Sequence, residues 1–545
     1  MSSTIPGRFH GDRPASNAHG SRSPVLGTNG MVATSQPLAS AAALRVLQDG
    51  GNAVDAAISA AAVLNVVEPM STGIGGDMFA LVFMQKEGRT VGLNGSGWSG
   101  SGATLDFFKR HNVESISSDS IHSVSVPGAV AGWFKLHEKY GVLPMPRLLE
   151  PAIDYADRGF AVSEIISGQW SSSRERLTQY PNTARAYLID GRAPRHGELF
   201  RSPGLARSFL EISKGGRDAF YNGRIAEQIV VCSKELGGFI EAGDLSEFDA
   251  EWVEPVRTTY RGYEVFEMPA NTQGLVALEI LNILEGFDMR GLGHNSAEYL
   301  HLFIEAKKLA FADRDAYIAD PRQAEVPMAR LTSKDYAKQR RRLIDPARAA
   351  VSTPPGVIEQ GDTVYLSVVD KERNAVSFIN SLFWGFGSSI VAGDTGIFLQ
   401  NRGSLFALNS DHPNSVAPRK RPFHTLIPAM VLKAGKPCFS FGVMGGDMQP
   451  QGHAQVLVNL IDFGMDVQEA GEATRFCHSA DGVALESAID ESVRSALTGK
   501  GHDIINAISQ SGFGVGGYQG IWIDPDSGVL MGGSDPRKDG CAMGW

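Results

Sequence analysis

Gly361-Asp362-Thr363-Val364-Tyr365-Leu366-Ser367-Val368-Val369-Asp370 is followed by Lys371-Glu372-Arg373-Asn374, then by Ala375-Val376-Ser377-Phe378-Ile379-Asn380-Ser381-Leu382. Two β-rich runs around a charged, Asn-containing turn predict a hairpin. The preceding Val351-Ser352-Thr353-Pro354-Pro355-Gly356 can extend neither a helix nor a central strand. Thr363 thus opens a strand behind a leader segment. Were its backbone nitrogen freed by cleavage after Asp362, one residue would carry both a hydroxyl nucleophile and an amine base. Threonine is also an ordinary strand former, so the local pattern alone leaves both readings open.

The bulk numbers narrow the classes. A chain of 545 residues can bury one large core or several, and 43% hydrophobic with 20% charged residues is globular. A formal charge of −10 and a pI near 5.8 argue against a nucleic-acid or anionic-membrane surface. The 62 glycines fit many tight turns. Cys232, Cys438, Cys477 and Cys541 form no Cys-x-x-Cys pair, so neither a disulfide framework nor a zinc site is signalled, and Cys477-His478 reads as packing. Residues 1–30 are rich in Ser, Gly, Pro and His without an apolar core segment, and no run reaches membrane-spanning length, so a cytoplasmic location is expected. Gly-x-Ser-x-Gly and Gly-Lys-Ser/Thr are both missing, which disfavours a serine hydrolase of the α/β type and a P-loop enzyme.

Taken in order, residues 1–30 read as a polar tail and Met31–Thr34 as a short strand. Helical spacing predicts a helix from Leu38 to Asp49, ended by Gly50-Gly51, and a buried Ala-rich helix from Asn52 to Leu64. Thr72-Gly73-Ile74-Gly75-Gly76-Asp77 precedes the strand Phe79–Phe83; it lacks a dinucleotide fingerprint and reads as a close-packing turn. Amphipathic helices are predicted from Leu275 and over His301–Arg314, with His301 a structural residue rather than a ligand, and further helices near Gln451–Phe463 and Ser487–Lys500. Arg340-Arg341-Arg342 reads as a solvated face.

From Met31 to the C-terminus the chain resembles the γ-glutamyltransferase family of self-processing N-terminal-nucleophile amidohydrolases. The resemblance is carried by Gly50-Gly51-Asn52-Ala53-Val54-Asp55-Ala56-Ala57, Ser125-Val126-Pro127-Gly128, Gly243-Asp244-Leu245, Thr363 at the head of Thr-x-x-x-Ser-Val-Val-Asp, and Gly445-Gly446. It implies an α+β fold, a four-layer αββα sandwich built jointly by two chains cut from one precursor. The cut would fall between Asp362 and Thr363, giving a large subunit of residues 31–362 behind the 1–30 tail and a small subunit of residues 363–545. These would stay together as a heterodimer or as a dimer of heterodimers. The resemblance further implies Thr363 as nucleophile and, through its amine, general base; Ser381 as its support; Gly445 and Gly446 as the oxyanion hole; and no cofactor or metal.

The departures from the family pattern concern substrate. Where γ-glutamyl enzymes grip the α-carboxylate with an Arg, Leu105 aligns here; an Asn on the hairpin becomes Phe383; a Gln and an Asp become Arg402 and Leu405, after Gln400-Asn401; a Ser pair becomes His424-Thr425. The loop between Phe406 and Val416 is short, so a lid over the pocket is expected to be missing. An apolar Leu105 and Phe383 would leave a zwitterionic glutamyl head without partners. Asn271-Thr272-Gln273-Gly274 and Gly446-Asp447-Met448-Gln449-Pro450-Gln451, with Asp447 and Asn401 as further substrate-binding candidates, look like the acylase and oxamate amidohydrolase branch. Arg402 and His424 would hold one anionic group, and a short carboxylated amide such as oxamate is the expected substrate. A glutathione hydrolase or γ-glutamyltransferase, a cephalosporin (glutaryl) acylase and an uncleaved binding protein are the alternatives.

Overall fold

The computed structural model describes residues 22–350, 362–506 and 514–545. Fourteen strands of two sheets, all antiparallel, position the site. They are β1 (Val25–Gly27), β2 (Met31–Thr34), β3 (Asp77–Met84), β4 (Arg89–Gly95), β5 (Glu251–Val253), β6 (Val256–Tyr260), β7 (Tyr263–Glu267), β8 (Asp362–Val369), β9 (Ala375–Phe383), β10 (Ala429–Lys433), β11 (Lys436–Met444), β12 (Gly517–Ile523), β13 (Leu530–Ser534) and β14 (Cys541–Gly544). One sheet runs β1-β13-β12-β11-β10-β7-β6 and the other β14-β2-β8-β9-β3-β4-β5. Each therefore mixes strands from both sides of residue 362.

Period-two alternation explains the layering. Along β3, Phe79, Leu81 and Phe83 enter an inter-sheet core with Met31, Tyr365, Ile379, Met430 and Ile521. Met78, Ala80 and Val82 face the other way, into a helical layer. That layer includes α1 (Pro37–Gln48) and α2 (Ala53–Val67). The second sheet sends Val265, Val431, Phe439, Phe441 and Val443 outward against α3 (Gly274–Leu284), α4 (Ala297–Tyr317) and α5 (Met448–Ile461). The result is the expected helix–sheet–sheet–helix stack. A smaller helix, α6 (Glu491–Lys500), packs against α4.

Several expectations shift in detail. The helix predicted from Asn52 begins at Ala53, because the Asn52 side chain accepts from Val54 N and Asp55 N as a cap, and it runs on to Val67. Helix α3 is buried along its whole length, so it has no polar face, and α4 likewise buries His301, Glu305 and Lys307. Helix α5 starts at Met448, three residues before the predicted start, and α6 at Glu491 instead of Ser487. Residues expected to belong to a tail are tied down from Arg22 onward: Val25–Gly27 pairs with β13, and the Arg22 guanidinium donates to the Ser534 carbonyl at 2.7 Å. The segment 351–361 and most of the 1–30 tail lie outside the described residues.

Candidate active site

The hairpin β8–β9 carries the first two site residues. Its register slips between Asp362 and Val364, placing a bulge at Thr363. The threonine is 1% exposed, and its Oγ1 donates to Ser381 Oγ at 3.2 Å. Residues 365 and 379 on these strands point into the gap between the sheets, so the pair sits at one end of that gap. Ser381 Oγ also accepts from Phe383 N at 2.7 Å and from Arg402 Nη2 at 3.3 Å. Phe383 has φ of 84°, a conformation bulky residues rarely adopt. The bond from its N–H to Ser381 helps hold it.

Arg402 departs most from ordinary burial. It is fully buried, its Nη1 donates to Thr425 Oγ1 at 2.8 Å, and its plane stacks 4.2 Å from the Phe383 ring. Among the described residues no carboxylate forms an ion pair with it, and its Nε has no partner. Burial lowers its pKa to about 9, opposed by the charge of Asp77. A guanidinium in this state is short of an anion.

Asp77 lies beneath it at the start of β3. Gly97 N, Gly128 N and Gln400 Nε2 donate to its Oδ1, and His424 Nε2 lies 3.1 Å from Oδ2. Burial pushes its carboxyl up to about 6 in spite of those donors. His424 is held neutral by burial and by the nearby Arg402 and Arg421. Leu426 N donates to its Nδ1 at 3.2 Å, so the ring proton sits on Nε2 and goes to Asp77. Both ring nitrogens are thus engaged inside the fold. The expected pairing of His424 with Arg402 around one anion is not what the structure brings together: His424 positions Asp77, and the available cation is Arg402.

The remaining expected residues have the following surroundings. Gly445 and Gly446, with φ of 118° and 57°, turn the chain from β11 into helix α5. Both values favour glycine. Their carbonyls accept from Met448 N and Gln449 N, while no hydrogen bond from either N–H is formed within the described residues. Asp447 is held by Arg314 Nη1 at 2.8 Å. Asn401 is structural: it donates to the Ser118 and Gly387 carbonyls and accepts from Trp384 N. Leu105 packs on a satellite cluster of Phe108, Ile116, Phe239, Phe406 and Val416, against the short loop after Arg402. The Thr72–Asp77 turn is the close-packing element expected of it, since a Cβ on Gly76 would overlap the Ser381 carbonyl oxygen.

Gln273 is the residue that sequence reasoning passed over. Its Nε2 donates to the carbonyls of Thr425 and Gly446 at 2.8 and 2.9 Å, and its Oε1 accepts from Arg314. A continuous path therefore runs from Thr363 through Ser381, Arg402, Thr425 and Gln273 to the Gly-Gly turn. Gln273 stands just before helix α3, and only three-dimensional contact reveals its role.

The profile of the family described as Gamma-glutamyltranspeptidase matches residues 39–545. The chain belongs to this family. It is 41% identical over 528 residues, 95% of this chain and 99% of the relative, to a glutathione hydrolase-like proenzyme (YwrD) of Bacillus subtilis. It is 35% identical to an oxamate amidohydrolase proenzyme of Klebsiella pneumoniae, covering 95% of this chain and 99% of that one. The crystal structure of a cephalosporin acylase from Bacillus halodurans superposes with a TM-score of 0.91 at 40% identity, covering 100% of this chain and 99% of that one. The protein is accordingly an enzyme with the N-terminal-nucleophile hydrolase fold of its family, and its relatives are proenzymes. No helix among the described residues is long and apolar enough to cross a membrane.

Proposed function

We propose that this enzyme cuts its own chain between Asp362 and Thr363 and then hydrolyses a small carboxylated amide. In the first step Thr363 Oγ adds to the Asp362 carbonyl and the peptide nitrogen leaves as the threonine α-amine. Water then hydrolyses the ester, leaving chains of 362 and 183 residues. Thr363 is enclosed and its Oγ1 is bonded to Ser381, which supports its use as the attacking group. The freed amine, with a pKa of about 7.7–8.0, takes the Oγ proton at neutral pH. The Oγ attacks the substrate carbonyl, and the Gly445 and Gly446 N–H groups stabilise the oxyanion. The protonated amine then gives its proton to the departing nitrogen, and water releases the acyl group from Thr363.

Arg402 carries the substrate assignment. Two hydrogen bonds, 3.2 and 3.3 Å, link Thr363 Oγ1 to its guanidinium through Ser381. A carboxylate attached directly to the scissile carbonyl, as in oxamate, can reach both groups. A γ-glutamyl substrate puts its α-carboxylate three carbons further away, and where the family's carboxylate-gripping arginine aligns, this chain has Leu105. The second reading, an acylase for a longer carboxylated acyl group, is supported by the likeness to the cephalosporin acylase.

The test has two parts. Purified protein should run as two bands, the smaller beginning Thr-Val-Tyr-Leu, and Thr363→Ala should give one uncut, inactive chain. The processed protein should release ammonia from oxamate faster than glutamate from glutathione; the reverse order would reject the substrate assignment, and full activity of an uncut wild type would reject the mechanism.

A further inference from the structure

Helix α4 places His301 and Glu305 one turn apart on one face, and His502 meets them from just beyond helix α6. All three are buried, and their ligating atoms lie within 4.8 Å of one another. From this geometry we infer a divalent transition-metal site, best suited to Zn2+, formed by His301 Nδ1, His502 Nε2 and the Glu305 carboxylate.

The hydrogen-bond count points to a missing cation. His301 Nε2 lies 2.7 Å from the Asp345 carbonyl, which can only accept, so the ring proton is on Nε2 and Nδ1 presents a lone pair. That lone pair faces His502 Nε2 at 2.8 Å. The other nitrogen of His502, Nδ1, is buried and has no partner among the described residues. As a neutral imidazole, His502 has one proton to place between its two nitrogens. If the proton is on Nε2, the Nδ1 lone pair is stranded. If it is on Nδ1, two imidazole lone pairs confront each other. A metal ion between the rings removes that confrontation, with the Nδ1–H still without a partner among the described residues.

The surroundings have the form of a supported ligand set. The Asp345 carbonyl orients His301, as carbonyls commonly orient metal-bound imidazoles. Glu305 accepts from Ala350 N at 3.1 Å and Lys308 Nζ at 2.8 Å, which fixes the carboxylate while leaving lone pairs on both oxygens. Two imidazoles and one carboxylate suit Zn2+ with a water in the fourth position. Tetrahedral nitrogen ligands at about 2.05 Å stand roughly 3.3 Å apart, so the rings would open by about half an ångström. The ammonium of Lys308 opposes the ion's charge and weakens the site. Two ligands precede residue 362 and one follows it; on the processing proposed above, though not otherwise, the ion would join the two chains.

The experiment uses the full chain, stripped with EDTA and dialysed against Zn2+. Wild type should retain one equivalent and unfold at a higher temperature. His502→Gln and His301→Gln should each lose at least tenfold in Zn2+ affinity and show no such rise. Lys308→Gln should bind Zn2+ more tightly. Should the histidine variants fold poorly, Co2+ added to wild type decides: the visible d–d absorption of a four-coordinate ion supports the site. No retained equivalent, variants that bind as wild type does, or no Co2+ bands would overturn it. None of these readouts depends on cleavage or hydrolysis, so the site can fail while the functional reading stands, and the reverse.

Discussion

Arg402→Met isolates the recognition step. The substitution keeps an unbranched side chain against the Phe383 ring but removes the charge and the bonds to Thr425 Oγ1 and Ser381 Oγ. Hydrogen bonds to charged groups contribute about 1.5–3 kcal/mol each. A carboxylate held by two guanidinium N–H groups therefore loses roughly 3–6 kcal/mol of binding, or about 10²–10⁴ in kcat/KM. Folding should suffer little, because a buried cation without a carboxylate partner stabilises weakly if at all. The assay compares ammonia release from oxamate with release from its uncharged diamide, using protein checked for processing and unfolding temperature. The diamide should lose less than about tenfold, from the disturbed Ser381 contact alone. Equal losses on both substrates, or no loss on oxamate, would refute the role given to the arginine.

Ser381→Ala removes the acceptor for the Thr363 hydroxyl and leaves the buried Phe383 N–H orphaned; it should cost about 1–3 kcal/mol in a urea titration and lower kcat more than it raises KM. Gly76→Ala drives a Cβ into the Ser381 carbonyl and should reduce the fraction of chain that becomes cut, seen directly on a denaturing gel. Asp77 gives a pH signature. Its folded pKa, about 6, lies above its ordinary value of 3.8, so the stability from its protonated form is complete below pH 3.8 and is lost as pH rises to 6. That is about 3 kcal/mol across the window, measurable as a slope in urea midpoints that Asp77→Asn should flatten.

Much of the centre was legible because it is local. The hairpin, its turn and the glycine pair are written in contiguous residues, and a period-two pattern gives β8 and β9 their faces. The four layers rested on family resemblance, since nothing in a strand's own residues says that β2 lies beside β8 and β14. The fully buried α3 and the largely buried α4 illustrate a different limit: the mostly apolar α3 has no polar face to read, and in α4 Lys307 and Glu305 find partners only in three dimensions. His424 is the clearest case within the site. Its residue type suits anion binding, but the Leu426 N–H and Asp77, far apart in sequence, occupy both ring nitrogens.

The order of strands in the sheet that holds Thr363 also governs timing. Strand β2, made almost first, must wait for β8 on one side and for β14, residues 541–544, on the other. In a growing chain this sheet cannot be completed before residues 541–544 have been made. A cleavage of the kind proposed above, made within this sheet, would then fall to chains that already carry residues 541–544.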